Sequence, residues 1–213
     1  MAPTLRAVRA CLLLTACLAV AACVPRGDPA IDGVLEDDFN RTELGPLWRN
    51  TGGAYQIVDG QLKIRGARNK PLWLRRTLPR DVRVEFDARS ESPNGDIKCE
   101  LYGDGVSKAT DVSYTATSYV ILFGAWFNQM NVIARMDEHA DDRAVGIRKK
   151  VEQGHTYRMK IERKGDTITY WADGTQIAQM KDKNPLWGAG HDHFAFNNWQ
   201  VELWFDNLKV TPL

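Results

Sequence analysis

The amino-acid sequence predicts an all-β domain, an antiparallel β-sandwich, that follows a short secretion signal. Apolar and polar residues alternate with period two in many short segments, and Asp-Gly pairs separate some of those segments. No long amphipathic helix is predicted after the signal. About a dozen short strands with turn residues between them are typical of an antiparallel sandwich.

The first 22 residues have the parts of a secretion signal. Arg6 and Arg9 supply positive charge, and residues 11–20 (CLLLTACLAV) form an apolar stretch, whereas a transmembrane helix needs roughly twenty residues. The stretch ends in Val20-Ala-Ala-Cys23, which resembles the site cut by bacterial lipoprotein signal peptidase. This resemblance implies a lipid anchor of acyl chains (palmitate) on Cys23 in the cell envelope, and Val24 implies sorting to the outer membrane. The alternative is an ordinary secreted protein cut near the same small residues.

The chain therefore divides into a signal peptide (1–22), the lipidated cysteine with a Pro- and Gly-rich tether (23–33), and one domain (34–213). Removal of the signal leaves 26 basic and 27 acidic residues, a net charge of −1. A nearly neutral domain gives no reason to expect a nucleic acid or another polyanion as partner.

Cysteine usage predicts a domain without disulfides. Cys11 and Cys17 leave with the signal and Cys23 is acylated, so Cys99 has no partner for a disulfide. Its strand is predicted to turn the Cys99 thiol toward the core, where cysteine behaves as a small apolar residue.

The strands can be assigned in order along the domain. Residues 82–90 (VRVEFDARS) and 155–163 alternate between apolar and polar positions, which predicts half-buried strands. Asp59-Gly60 and Asp173-Gly174 predict two-residue hairpin turns, because both central positions need positive φ. The full set of predicted strands is 34–39, 55–58, 61–65, 72–77, 82–90, 96–102, 119–126, 131–136, 155–163, 167–172, 175–180, 193–197 and 201–210.

Three segments carry a family resemblance. They are Asp37-Asp-Phe-Asn40 with Leu47-Trp48, the hairpin 55–62, and the closing segment 205–210 (FDNLKV). Together they resemble bacterial members of the concanavalin A-like lectin/glucanase superfamily over residues 34–213. The resemblance implies a jelly-roll β-sandwich whose first and last strands lie side by side and whose curved sheet presents a concave face to carbohydrate. Because that superfamily includes lectins, hydrolases, lyases and inert modules, the fold does not define the activity.

One strand (DIKCELY) is predicted to place Asp96, Lys98, Glu100 and Tyr102 on a single face. This face resembles the E-x-D-x-E strand of retaining glucanases, which implies Asp96 as nucleophile and Glu100 as acid. Lys98 stands in place of a helper carboxylate, and we expect it to keep both carboxyls ionised by lowering their pKa. That expectation argues against hydrolysis and favours a polar strand in which a lysine bridges two carboxylates.

A second group of side chains is typical of sugar recognition. Trp126 can cover the apolar C–H face of a sugar ring, while amide and guanidinium groups orient the hydroxyls. The alternative for Trp126 is a place in the core between the sheets. Strand 193–197 is predicted to direct Phe194 and Phe196 inward and His193, Ala195 and Asn197 to the opposite, ligand-facing side. The expected carbohydrate-binding residues are Trp126, Asn128, Arg135, Asp96, Glu100, His193 and Asn197.

Weaker patterns concern metals and lyase chemistry. Possible metal ligands cluster at 138–143 (EHADDR) and 191–193 (HDH). For the first cluster, loop charges exposed to solvent are the simpler interpretation. For the second, the simpler interpretation is that His193 faces a ligand. No cofactor is expected, apart from a structural calcium of the kind common in the superfamily, for which the candidates are Asp37, Asp38 and Asp206. Residues 41–44 (RTEL) superficially resemble a motif of jelly-roll alginate lyases, but that family's Gln-[Ile/Val]-His motif is missing and a turn is expected.

Three functional hypotheses follow. The favoured one is a membrane-anchored cell-envelope lipoprotein with a non-catalytic carbohydrate-binding domain. The second is a retaining glycoside hydrolase that uses Asp96 and Glu100. The third is a structural or assembly lipoprotein that binds a protein partner. A nucleotide-binding loop, a Ser-His-Asp set and a Cys/His metal motif are not recognisable in the sequence, which argues against the commoner enzyme classes.

Overall fold

Two antiparallel β-sheets packed face to face form the domain, which confirms the predicted jelly-roll β-sandwich. The structure is a computed structural model that describes residues 27–110 and 114–213. The predicted signal peptide and Cys23 lie outside the described residues.

Within these ranges the chain forms fifteen strands and one helical turn. Their bounds are β1 (Leu35–Asp37), β2 (Trp48–Asn50), β3 (Gln56–Val58), β4 (Gln61–Arg65), β5 (Leu72–Leu74), β6 (Val82–Ser90), β7 (Ile97–Gly103), β8 (Tyr119–Gly124), α1 (Ala125–Asn128), β9 (Met130–Arg135), β10 (Ala144–Val145), β11 (Thr156–Lys164), β12 (Thr167–Ala172), β13 (Thr175–Lys181), β14 (His193–Asn197) and β15 (Glu202–Pro212). No helix in the described part of the chain is long and apolar enough to cross a membrane.

The strands divide between two sheets. The eight-stranded sheet has the order β13-β12-β11-β6-β15-β4-β3, with β1 also paired to β15. The seven-stranded sheet has the order β10-β9-β8-β7-β14-β5-β2. Leu35 of the first strand lies opposite Val210 of the last, so the two chain ends are neighbours as the family resemblance implied.

The core lies between the two sheets and is rich in aromatic rings. Phe86 and Phe205 come from the eight-stranded sheet, and Phe196 comes from the seven-stranded sheet. The ring centroid of Phe196 is 5.2 Å from that of Phe86 and 4.3 Å from that of Phe205. Cys99 is buried in the same core, as predicted, and its thiol is free.

Backbone conformation confirms the predicted hairpins and corrects one strand. Asp59-Gly60 and Asp173-Gly174 have positive φ at all four positions. Tyr102 was expected on the polar face of its strand, but this was wrong: its φ of 60° breaks the alternation and turns its ring into the core. Asp96 also has positive φ, 65°, so β7 begins one residue after it.

The start of the described chain is held against the domain, although residues 23–33 were expected to form a tether. Ile31 is buried, and its backbone N–H donates to the carbonyl of Thr77. Asp28 accepts hydrogen bonds from the guanidinium groups of Arg49 and Arg75. Residues 28–31 therefore pack on the seven-stranded sheet near β5.

Candidate functional site

The outer face of the seven-stranded sheet carries two charged residues on its central strand. Lys98 of β7 lies between Asn197 of β14 and Leu122 of β8, and Glu100 lies two residues further along the same face of the strand. All seven residues of β7 are buried. Both faces of this strand are therefore covered, the inner face by the second sheet and the outer face by loops.

Three connecting segments supply that cover. The loop between β7 and β8 packs Tyr114 and Ala116 against the apolar outer-face residues of β8 and β9. Asn69 joins this loop to the segment after β14, because its N–H donates to the carbonyl of Asn198 and its own carbonyl accepts from Ala109. The segment after β9 brings Glu138 to the same face.

Glu100 is buried beneath this cover and is fully bonded. One carboxyl oxygen accepts hydrogen bonds from the hydroxyls of Ser118 and Tyr114, and the other accepts from the amide of Asn197. Burial raises the pKa of Glu100, and the Ser118 hydrogen bond, the Lys98 charge and the Asn197 hydrogen bond oppose that rise. A ligand could reach Glu100 only by displacing these partners.

Lys98 is also buried, with a side chain only 1% exposed. Its ammonium group donates to the Asn69 side-chain oxygen at 2.7 Å and to a Glu138 carboxylate oxygen at 2.6 Å. Removing one member of such a pair would leave an uncompensated buried charge, at a cost of about 3–5 kcal/mol. The pair therefore fixes the segment after β9 over the sheet.

The connection from β8 to β9 has an unusual backbone. Trp126, Phe127 and Asn128 all have φ between 47° and 63°, a left-handed conformation that costs about 1–2 kcal/mol for each non-glycine residue. The Asn128 side chain anchors the turn, since its amide donates to the carbonyls of Pro93 and Val151 and its oxygen accepts from the Val151 N–H. Strain of this kind is found mostly at functional sites.

A pocket of about 350 Å³ opens between this turn and the covering segments. Trp126 is half-buried in its wall, with the His139 ring centroid 5.6 Å away and the Arg143 guanidinium 5.4 Å from the Trp126 ring centroid. Phe127 and Trp199 supply further aromatic surface. Polar lining groups come from Asn69, Asn94, Asp96, Lys98, Glu138, His139 and Gln200.

Asp96 is the carboxyl among the described lining residues that has no protein hydrogen-bond partner, whereas Glu138 is bonded to Lys98. The Asp96 side chain accepts no hydrogen bond from the described residues, and only its backbone N–H is bonded, to the Gly124 carbonyl. Burial raises the pKa of Asp96 to about 7, while Lys98 lowers it and Glu138 raises it further. Lys98 lowers the pKa of both carboxyls, as expected, but the larger cost of burial leaves the pKa of Asp96 and of Glu100 raised.

The structure brings only part of the expected sugar-binding set together. Asp96 and Trp126 line the pocket, whereas Glu100 and Asn197 lie bonded to each other beneath the cover, and Asn128 uses its amide to anchor the turn. The remaining two candidates lie elsewhere. Arg135 donates to Asp182 at 3.0 Å, and His193 lies at the far end of β14 beside Asp28 and Asp192.

The residues considered for calcium have protein partners. Asp37 accepts two hydrogen bonds from Arg41 and one from the Trp48 indole, Asp38 binds Asn40, and Asp206 accepts from Gln61. No group of three or more His, Cys, Asp or Glu side chains is placed to hold a metal ion in the described ranges. Arg41 also donates to the carbonyls of Glu43 and Leu44, so residues 41–44 form the turn that was expected.

Several pocket residues were not among the predicted binding set. Glu138 and His139 looked like solvated loop charges, and Asn69 lies in a turn that gives no pattern in the sequence. Trp199 follows β14 and has no periodicity that distinguishes it from a core residue. Each reaches the pocket through contacts between segments far apart in the chain.

Comparison with known proteins supports the fold. No protein-family model matches this chain, and no curated protein sequence matches it. The carbohydrate-binding module CBM66 from Bacillus subtilis is 14% identical, with a TM-score of 0.60 over 81% of this chain and 98% of that chain. The Emp47p carbohydrate recognition domain is 12% identical, with a TM-score of 0.58 over 84% and 95%.

A third similar structure is described with endo-acting O-glycanases of the human gut microbiota. It is 12% identical, with a TM-score of 0.54 over 84% of this chain and 98% of that chain. The TM-scores show a shared β-sandwich fold. At identities this low, the activity of this chain has to be argued from its own residues.

The raised pKa of Asp96 predicts how the variant Asp96→Asn will behave. A carboxyl that holds its proton more tightly when folded makes the protein less stable as pH rises from about 4 to about 7. Asn carries no charge at either pH. The wild type should therefore lose stability between pH 4 and pH 8, and the variant should not. The difference in free energy of unfolding between Asp96→Asn and the wild type should change by on the order of 1–3 kcal/mol in favour of the variant over this range.

Urea unfolding at the two pH values measures this gain. The matched control is Asp142→Asn at an exposed position of the segment after β9, which should follow the wild type at both. Parallel stability curves for wild type and Asp96→Asn would contradict the assignment of a raised pKa to this carboxyl.

Proposed function

We propose that this chain is a carbohydrate-binding protein and that its ligand occupies the pocket over β7. The observation that carries the proposal is the pairing of aromatic surface with a carboxyl that has no hydrogen-bond partner among the described residues. Trp126 and Trp199 offer ring faces, and Asp96 offers acceptor atoms that a bound hydroxyl pair can satisfy.

The construction of the pocket supports this role. Trp126 is fixed by the strained turn that Asn128 anchors, and Lys98 and Asn69 are fixed by their mutual hydrogen bond. A preformed site loses little conformational freedom when a ligand binds, which favours affinity. Similar solved structures include proteins named for carbohydrate binding, which is consistent with the proposal.

The charge of the pocket suggests the class of sugar. Its one buried cation, Lys98, is neutralised by Glu138, so no free positive charge from the described lining residues faces the space. A carboxylate or sulfate on the ligand would lose its hydration there without gaining a cationic partner. We therefore propose neutral saccharides as ligands in preference to uronic or sulfated ones.

A glycan array that carries neutral, acidic and sulfated oligosaccharides tests the proposal on the full chain. Binding should concentrate on neutral glycans. Trp126→Ala should weaken the affinity for an array hit at least tenfold, which corresponds to about 1.4 kcal/mol of lost binding energy, because the ring that covers the sugar is gone.

The matched control is Trp204→Ala. Trp204 is also half-buried, but it lies on the outer face of the eight-stranded sheet between Lys63 and Arg89, so its loss should leave binding unchanged. A blank array, or equal losses in the two variants, would contradict the proposed site. Circular dichroism establishes that both variants remain folded.

We also propose that Cys23 anchors this protein to the envelope by a lipid, with sorting to the outer membrane as Val24 implies. The support is the Val20-Ala-Ala-Cys23 sequence that follows an apolar stretch of signal-peptide length. Acyl chains would hold the protein at a membrane by burying methylene groups, each worth about 0.8 kcal/mol.

Metabolic labelling with palmitate in a Gram-negative host tests the anchor. The wild type should incorporate label and partition into detergent, and Cys23→Ser should do neither. Cys99→Ala is the control, because that buried thiol lies in the core and its loss should leave labelling unchanged. Labelling that survives Cys23→Ser would exclude Cys23 as the lipidation site.

A further inference from the structure

Exposed apolar side chains are concentrated at one end of the sandwich. At this end β7 finishes and β6 begins, and the Tyr102 hydroxyl of β7 donates to the carbonyl of Arg80 just before β6. Seven large apolar side chains are exposed among the residues that the structure describes. We call the four of them that lie at this end the basal patch, and they are Val34, Val106, Trp187 and Leu213.

Contacts with neighbouring strands place these side chains. The Trp187 ring centroid lies 6.0 Å from that of Tyr102. The backbone N–H of Leu213 donates to the carbonyl of Asp81, the residue before β6. Val34 directly precedes β1, which pairs with the last part of β15. The basal patch therefore spans the ends of both sheets.

The described chain enters the domain beside this patch. Asp28, whose side chain is only 9% exposed, accepts a hydrogen bond from the Arg49 guanidinium at 2.8 Å. The same guanidinium donates to the carbonyl of Gly105, the neighbour of Val106. The Nε2 atom of His193, at the start of β14, lies 3.3 Å from the Asp28 carboxylate. These contacts clamp the N-terminal segment next to the basal patch.

Chain length then limits the distance between the patch and the proposed lipid anchor. Cys23 stands five residues before Asp28. An extended chain spans at most ~3.3–3.6 Å per residue, so the Cys23 backbone lies within roughly 18 Å of Asp28. Acyl chains on Cys23 would be buried in the bilayer. The clamp at Asp28 therefore brings the basal patch next to the membrane.

The side chains at this end suit the surface of a bilayer. A tryptophan ring has an apolar body and a polar N–H, and tryptophans are enriched where hydrocarbon meets headgroups. Three cations at the same end, Arg76, Arg80 and Lys183, form no ion pair within the described ranges. Their charges complement the phosphates of anionic phospholipids.

From these positions we propose that the basal patch rests on the phospholipid surface that holds Cys23, so that the pocket over β7 faces away from the bilayer. The inference rests on the proposed lipid anchor. Asp96 lies just before β7 and the basal patch lies where β7 ends, and the seven residues of that strand span about 20 Å. A pocket held at this distance from the headgroups stays open to a glycan.

Fluorescence quenching on the lipidated full chain tests this orientation. The protein is reconstituted into vesicles of phosphatidylethanolamine and phosphatidylglycerol after an environment-sensitive dye (NBD) has been attached to one introduced thiol. Val106→Cys and Trp187→Cys place the dye in the basal patch. Phe127→Cys is the matched control, because Phe127 is also apolar and is 75% exposed beside the pocket. Cys99 is buried and should take no dye, which the unsubstituted protein verifies.

A nitroxide carried on the lipid should lower the emission of the Val106→Cys and Trp187→Cys dyes at least about threefold and leave that of the Phe127→Cys dye nearly unchanged. Iodide in the water should give the opposite ranking. Strong lipid quenching at Phe127→Cys, or at none of the three positions, overturns the inference. A protein that does not float with the vesicles refutes the proposed lipid anchor instead.

Loosening the clamp provides a second readout. Asp28→Ala leaves Arg49 and His193 without their carboxylate partner, so the N-terminal segment should detach and lipid quenching at Val106→Cys should fall by about half or more. The matched control is Asp32→Ala at an exposed position four residues later, which should leave the quenching unchanged. Circular dichroism establishes that both variants are folded. Equal quenching in the two folded variants would overturn the claim that the clamp sets the orientation.

Discussion

The constraint on which the rest of the structure depends is the burial of two ionisable side chains, Lys98 and Glu100, on the outer face of β7. A charge removed from water costs several kcal/mol unless partners replace the lost hydration. Glu138 and Asn69 do so for Lys98, and side chains from the β7–β8 loop and β14 do so for Glu100. All of these partners except Asn197 of β14 belong to loops, so their bonds to Lys98 and Glu100 hold the loops over the sheet. The pocket is the space they leave above Asp96.

Buried side-chain hydrogen bonds also hold the strained turn after β8. Three consecutive non-glycine residues in the left-handed region are unfavourable on their own, but the Asn128 amide fixes them to Pro93 and Val151. Asn131 adds bonds to the carbonyls of Ile147 and Lys149. Sequence reasoning assigned Asn128 to sugar recognition, yet its contribution is to hold Trp126 in the pocket wall. Backbone strain, buried charge and an unpartnered carboxyl therefore occur together at one place.

Much of the fold could be predicted because strand periodicity is local. The pattern of Val82–Ser90 alone gives the observed bounds of β6, and Asp-Gly pairs fix two hairpins. The inward direction of the Tyr102 ring could not be predicted, because the sequence pattern of apolar and polar residues does not show that its φ is positive. Asp96 and Trp126 were found from residue type, whereas Glu138 becomes a pocket residue only through its pair with Lys98, 40 positions earlier in the chain. Long-range pairing of this kind has no short sequence pattern.

The proposed function requires that a saccharide binds in the pocket over β7. Two-dimensional ¹H–¹⁵N NMR of the tryptophan indoles during titration with a neutral array glycan tests this directly, because tryptophans lie on both outer faces. The account predicts that the Trp126 and Trp199 signals shift with saturation, while those of Trp171 and Trp204 on the eight-stranded sheet stay in place. Saturable shifts at Trp171 or Trp204, with Trp126 and Trp199 unmoved, would contradict it.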